Sequence, residues 1–95
     1  MDTHKSIIKE LYDVITDRRQ NPVEGSYTNY LFSKGSEKIC KKIGEEATEA
    51  VISATMNKRE DLVSEIADLT YHMLVLMAEK GITPEEIETE LQSRR

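Results

Sequence analysis

Four acidic side chains stand out by their spacing: Glu46 and Glu49 are three residues apart, and so are Glu65 and Asp68, with Glu45 beside the first pair. Side chains on a helix advance about 100° per residue, so Glu46 and Glu49 share one flank of a helix, with Glu45 turned further out. Glu65 and Asp68 share the flank of another. The segment between the pairs turns around Asn57 and Lys58, and so short a turn requires an antiparallel helical hairpin. Glu49 and Glu65 each stand eight residues from Asn57, and Glu46 and Asp68 each stand eleven. Glu49 is therefore expected to face Glu65, and Glu46 to face Asp68, about 12 to 17 Å from the turn. Four carboxylates gathered at the edge of a core repel, and without a counter-ion only protonation relieves them. A hard divalent cation does so directly. An oxygen-only ligand set without His or Cys suits Mg²⁺, with Mn²⁺ as a substitute, rather than zinc. Two hairpin hands are open, and only one brings the flanks together. With 18 acidic residues in 95, solvated helix faces are the alternative.

Other side chains nearby could complete a phosphate site. Lys38 and Lys42 are one turn apart and share the flank of Glu45 and Glu49, while Lys34 stands just before the helix. They are candidates for the substrate phosphates, or else for ordinary intrahelical ion pairs such as Lys42 with Glu46, worth a few tenths of a kcal/mol. His72 projects near Asp68 and either touches substrate or bonds a carboxylate. A di-iron bundle would need Glu-x-x-His, and Leu69 occupies that Glu position. Gly44, inside the helix, costs about 1 kcal/mol relative to Ala, which suggests close approach of a partner helix or a ligand.

Apolar residues recur at spacings of three and four almost throughout and strict alternation is absent, so the chain is read as all-α, with four helices around the hairpin. The first is expected from Thr3 to Arg19, with Ile7, Ile8, Leu11, Val14 and Ile15 as its stripe, ended by Asn21-Pro22. Pro22 to Gly35 carries two glycines and three of the five aromatic residues without helical period, and reads as a structured loop. The second helix is expected from Ser36, as its N-cap, to about Met56, with Ile39, Ile43, Ala47, Ala50, Val51 and Ala54 inward. The third is expected from Arg59 to Glu79, through Leu62, Val63, Ile66, Leu69, Met73, Leu76 and Met77, closed by Lys80 and Gly81. Thr83-Pro84-Glu85-Glu86 has the form of a capping box and predicts a last helix from Pro84 to Gln92.

Residues 1–95 have material for one domain, and a domain this small, with no Trp and one Phe, has a thin core that calls for help from self-association. The single Cys40 falls among apolar residues and is expected as a buried, reduced thiol. The first twenty residues mix charge with apolar residues and form neither a secretory signal nor a membrane span, so a cytoplasmic protein is expected. A formal net charge of −5 argues against nucleic-acid binding, whose affinity comes from cationic contacts. An acidic protein still binds phosphates where a metal ion inverts the local charge.

The stretch from Lys41 through Gly44-Glu45-Glu46 to Glu49, with Glu65-Ile66-Ala67-Asp68 through His72, resembles the EExxE and ExxD pair of the all-α nucleoside triphosphate pyrophosphohydrolases. That superfamily includes MazG-type and dimeric dUTPase-like enzymes. Upstream, Ser26-Tyr27-Thr28-Asn29-Tyr30-Leu31-Phe32, then Lys34-Gly35 and Lys38-Ile39, is similar to the stretch preceding the motif in the phosphoribosyl-ATP pyrophosphatase family. The likeness spans nearly the whole chain and implies a MazG-like, helical-bundle homodimer of the stand-alone form. It implies hydrolysis of phosphoribosyl-ATP to phosphoribosyl-AMP and pyrophosphate, the second step of histidine biosynthesis. Glu46, Glu49, Glu65 and Asp68 would hold the metal, and Glu45 would be a further ligand or a base for the attacking water. Metal ions bridging phosphate oxygens neutralise developing charge, so such a site mainly positions the reactants. Tyr27 and Thr28, in the loop, are candidates for gripping ribose or purine, or for packing. A nucleotide-pool pyrophosphohydrolase of the same superfamily and a non-enzymatic acidic dimerisation module are the competing readings.

Overall fold

A computed structural model describes residues 6–95 and is all-helical over them, with no strand among the described residues. Helix α1 spans Ile7–Gln20, α2 Tyr27–Lys34, α3 Ser36–Thr55, α4 Arg59–Lys80 and α5 Pro84–Ser93. Ser6 caps α1 by accepting from the amide of Lys9, and Asn21, held out of the helical region ahead of Pro22, closes it. The expected start at Thr3 lies outside the described residues.

The largest departure from expectation is α2, which occupies the segment read as a loop. Ser26 is its N-cap, accepting from the Asn29 amide, and the Gly35 amide returns to the Leu31 carbonyl at 2.9 Å. Eight residues are too few to display a helical period, and too few to be stable alone. Burial of Thr28 and Leu31, three apart on one face, supplies what propensity does not. Gly35, at φ 84°, is both the end of α2 and the cap before α3, a backbone conformation that L side chains rarely adopt. Ser36 is thus the first helical residue of α3 rather than its N-cap.

Helices α3 and α4 form the expected antiparallel hairpin and are the most extensively paired elements. The turn is made by Met56, Asn57 and Lys58, with Asn57 in the left-handed region at φ 56°, which Asn tolerates better than most residues. Gly81 ends α4 in the left-handed conformation, and the Thr83/Glu86 capping box opens α5, both as the sequence predicts.

The core lies at the end of the hairpin away from the turn, where α1 and α2 cover the second half of α4 and the start of α3. Tyr12, Ile15, Leu31, Ile39, Leu74, Val75 and Ala78 are buried there. Ile15, Leu31, Ile39 and Val75 are fully enclosed, each contributing about 1.5–3 kcal/mol from burial. Polar ties lock the same layer. The Tyr12 hydroxyl donates to the Ile82 carbonyl at 2.8 Å, and Arg19 donates to the Ala78 carbonyl at 2.7 Å while pairing with Glu79. Asn29 bridges α2 to the chain before it, donating to the Arg18 carbonyl at 2.6 Å and accepting from the Val23 amide at 2.8 Å.

Several residues expected inside are not. Val51, Ala54, Val63 and Ile66 are exposed, because α1 and α2 reach only the far half of the hairpin, and Met73, within that half, is exposed as well. Cys40 is exposed as well: it follows Ile39, whose full burial turns the next residue out of the core. A Cβ on Gly44 would meet no atom of this chain within 4 Å, so no close approach within the subunit accounts for that glycine.

Candidate active site

The hairpin takes the hand that brings the acidic flanks together. Glu46 and Glu49 from α3 and Glu65 from α4 each offer a carboxylate oxygen, and these oxygens all lie within 4.8 Å of one another. Glu46 is buried, Glu65 half-buried and Glu49 exposed, so the cluster opens to solvent along α3. Glu65 is the centre of the group and meets both α3 glutamates, whereas the mirror arithmetic of the sequence paired it with Glu49 alone. Asp68, one turn further along α4, is exposed and stands outside the trio.

The trio is electrostatically unsatisfied. Glu65 Oε2 is buried and has no hydrogen-bond partner. The Glu65 carboxyl is pushed from 4.5 up to about 7, first by a proton shared with Glu49, then by burial and the Glu49 charge, with Glu46 acting in the same sense. An acceptor buried without a donor is costly in a folded protein, and three carboxylate oxygens at such separations suit a hard divalent cation. The residues present therefore fit a metal.

None of the cationic candidates forms an ion pair with the trio. Lys42 bonds Glu45 at 3.8 Å, rather than Glu46, in an exposed pair worth a fraction of a kcal/mol. Lys34 and Lys38 stand over the Tyr30 ring at 5.8 and 6.0 Å from its centroid. Their ammonium groups are steadied by the ring face.

An aromatic layer links α2 to α4 beside the carboxylates. Tyr27 stacks on Tyr30 and Tyr71, with ring centroids 6.2 and 6.5 Å away. His72 is buried, with Nε2 2.7 Å from the Tyr27 hydroxyl and Nδ1 2.7 Å from the Asp68 carbonyl. It bonds a backbone carbonyl where the sequence suggested a carboxylate. Thr28 is buried too, and its hydroxyl bonds that of Tyr71. Of the three residues offered as substrate contacts, Tyr27 alone is exposed. Burial pushes the Tyr27 phenol up, Lys42 opposes that shift and Glu46 adds to it, so its hydroxyl feels both charges of the site. Tyr71 was missed; its place one residue before His72, among apolar neighbours on a long helix, reads simply as core.

Comparison with known proteins places the chain in a family. The family model for phosphoribosyl-ATP pyrophosphohydrolase matches residues 8–95. A phosphoribosyl-ATP pyrophosphatase of Listeria innocua is 60% identical over 88 residues, covering 93% of this chain and 84% of the relative. One from Clostridium acetobutylicum is 57% identical over 88 residues, covering 93% and 80%. One from Lacticaseibacillus casei is 54% identical over 94 residues, covering 99% and 86%. The three-carboxylate hairpin, the helix-only architecture and these matches together make the chain a member of the phosphoribosyl-ATP pyrophosphohydrolase family of hydrolases.

Proposed function

We propose that this protein hydrolyses phosphoribosyl-ATP to phosphoribosyl-AMP and pyrophosphate, the second step of histidine biosynthesis, in a reaction that depends on Mg²⁺ or, in its place, Mn²⁺. The names of the relatives support the substrate. The observation that carries the metal dependence is the buried, unpartnered Oε2 of Glu65 within a trio of carboxylates.

Glu46, Glu49 and Glu65 would hold the cation, with Asp68 the next carboxylate available on α4. A bound divalent ion supplies Lewis acidity toward phosphate oxygens and lowers the pKa of a coordinated water. The chain's own residues supply position and charge. Lys42, half-exposed beside Glu45, and Lys34 and Lys38 above Tyr30 offer cations to a polyphosphate approaching the open side of the trio. Glu45, exposed and held only by Lys42, is free to accept a proton from an attacking water. Turnover of phosphoribosyl-ATP compared with ATP, dCTP and dUTP tests the assignment; a preference for an unmodified nucleotide would reject it.

A homodimer belongs to the same reading. Val51, Ile52, Met56, Val63 and Ile66, toward the turn of the hairpin, are 48–62% exposed. So much apolar surface on one end of a small subunit favours burial against another copy. No helix of the described residues is long and apolar enough to cross a membrane.

A further inference from the structure

His72 is buried with both ring nitrogens engaged, and the partner of Nδ1 fixes which tautomer the neutral ring takes. The Asp68 carbonyl can only accept, so Nδ1 carries the proton and donates to it. A neutral ring with Nδ1–H has a bare lone pair at Nε2. The Tyr27 hydroxyl must then donate to Nε2, leaving its oxygen with lone pairs and no proton to offer elsewhere.

The surroundings hold this oxygen toward the site. The Tyr27 ring is wedged edge-on against His72 at 5.7 Å and stacked between Tyr30 and Tyr71. Tyr71 itself meets His72 edge-on at 5.6 Å, and its hydroxyl is tied to Thr28. Tyr27 is nevertheless 46% exposed. It lies between the Tyr30 ring that carries Lys34 and Lys38 and the turn of α4 that carries Asp68.

Resting on the pyrophosphohydrolase reading above, we propose that His72 is a positioning residue that commits the Tyr27 proton inward, so that the Tyr27 oxygen meets the substrate purely as a hydrogen-bond acceptor for a sugar hydroxyl. This selects a group that donates, and it turns away a phosphate oxygen, which cannot. The lysines and the carboxylate trio then take the polyphosphate, while Tyr27 takes the sugar.

The test has two arms. In the first, ¹⁵N NMR of the metal-free protein at neutral pH reads the His72 ring directly. The expected result is the Nδ1–H tautomer, with a slowly exchanging Tyr27 hydroxyl proton that disappears in Tyr27→Phe; an Nε2–H ring overturns the proposal. The second arm is kinetic. Tyr27→Phe leaves an exposed ring in place and should not disturb folding. His72→Asn keeps a donor for the Asp68 carbonyl but falls short of Tyr27, whereas His72→Gln reaches the Nε2 position. Tyr27→Phe and His72→Asn are expected to raise KM about tenfold with kcat within about threefold. The double variant should be no worse than either single one, and His72→Gln should recover most of the loss. Additive effects, or a fall in kcat with KM unchanged, overturn it. The same KM pattern is expected with whichever nucleotide the enzyme turns over. Loss of phosphoribosyl-ATP turnover as a native activity would therefore reject the substrate assignment without touching the tautomer result.

Discussion

Glu49 on α3 and Glu65 on α4, each eight residues from Asn57, meet across the hairpin with their carboxylate oxygens no more than 4.8 Å apart, and Glu46 closes the triangle from the next turn. Like charges at this distance are a standing cost to the fold, and the site's chemistry follows from how that cost is relieved.

Metal should relieve it. Binding only to the folded state, Mg²⁺ or Mn²⁺ at a hundred times its Kd stabilises by about 2.7 kcal/mol. For a domain of this size that is a rise in Tm of roughly 10 °C or more. Glu65→Gln, which removes the central negative charge, should abolish the rise and cost at least about 100-fold in kcat/KM. Asp68→Asn should weaken it less, because Asp68 stands outside the trio. A native Tm that ignores both cations by differential scanning fluorimetry would favour a non-enzymatic dimerisation module.

Protons are the other remedy, and they set a pH dependence of opposite sense to the usual carboxylate. Glu65 titrates near 7 when folded against 4.5 when unfolded, so between these values the folded state binds the extra proton. Its contribution to stability is full below about 4.5 and is lost as pH rises through about 7. In EDTA, Glu65→Gln, neutral at every pH, should lose less stability between pH 5 and pH 8 than the native protein does. Equal slopes in the two thermal-melt series would contradict the shared proton. The same coupling predicts that metal affinity climbs with pH up to about 7 and then levels, since the ion displaces that proton.

The exposed end of the hairpin should be a subunit contact. Val63, 60% exposed, is expected to tolerate Glu in an isolated subunit but not in a dimer. Analytical ultracentrifugation should show the native chain at twice its 10.9 kDa mass and Val63→Glu at the monomer mass. The native Tm should also rise with protein concentration, as it does when folding and assembly are linked.

Gly44 offers a contrasting test. Since a Cβ there meets nothing within 4 Å, Gly44→Ala should gain about 1 kcal/mol of helix stability, read as a higher midpoint in urea. A loss instead would mean that another subunit or the substrate fills this space.

The local chemistry of the chain was sufficient to specify much of this protein. Gly81 and the Thr83–Glu86 box mark helix ends because their backbone requirements are met within a few residues. The heptad-like spacing of apolar residues names the helices, and the three-residue spacing of the glutamates names the acidic flanks, because a helix converts sequence separation into angle. Helix α2 has no such local signature, since its stability comes from Leu31 entering a core built by other elements.

Only the tertiary structure decided which flanks meet. The hand of the hairpin, a global property with no local signature, brought Glu65 to Glu46 as well as Glu49 and left Asp68 aside. It also decided which half of an apolar helix is covered: Val75 is enclosed and Val63 is bare although their side chains are identical, because α1 and α2 reach one and not the other. Likewise, the pairing of His72 with Tyr27, 45 residues apart, exists because α2 and α4 come together, and that closeness is what makes His72 a support for Tyr27 rather than a free imidazole.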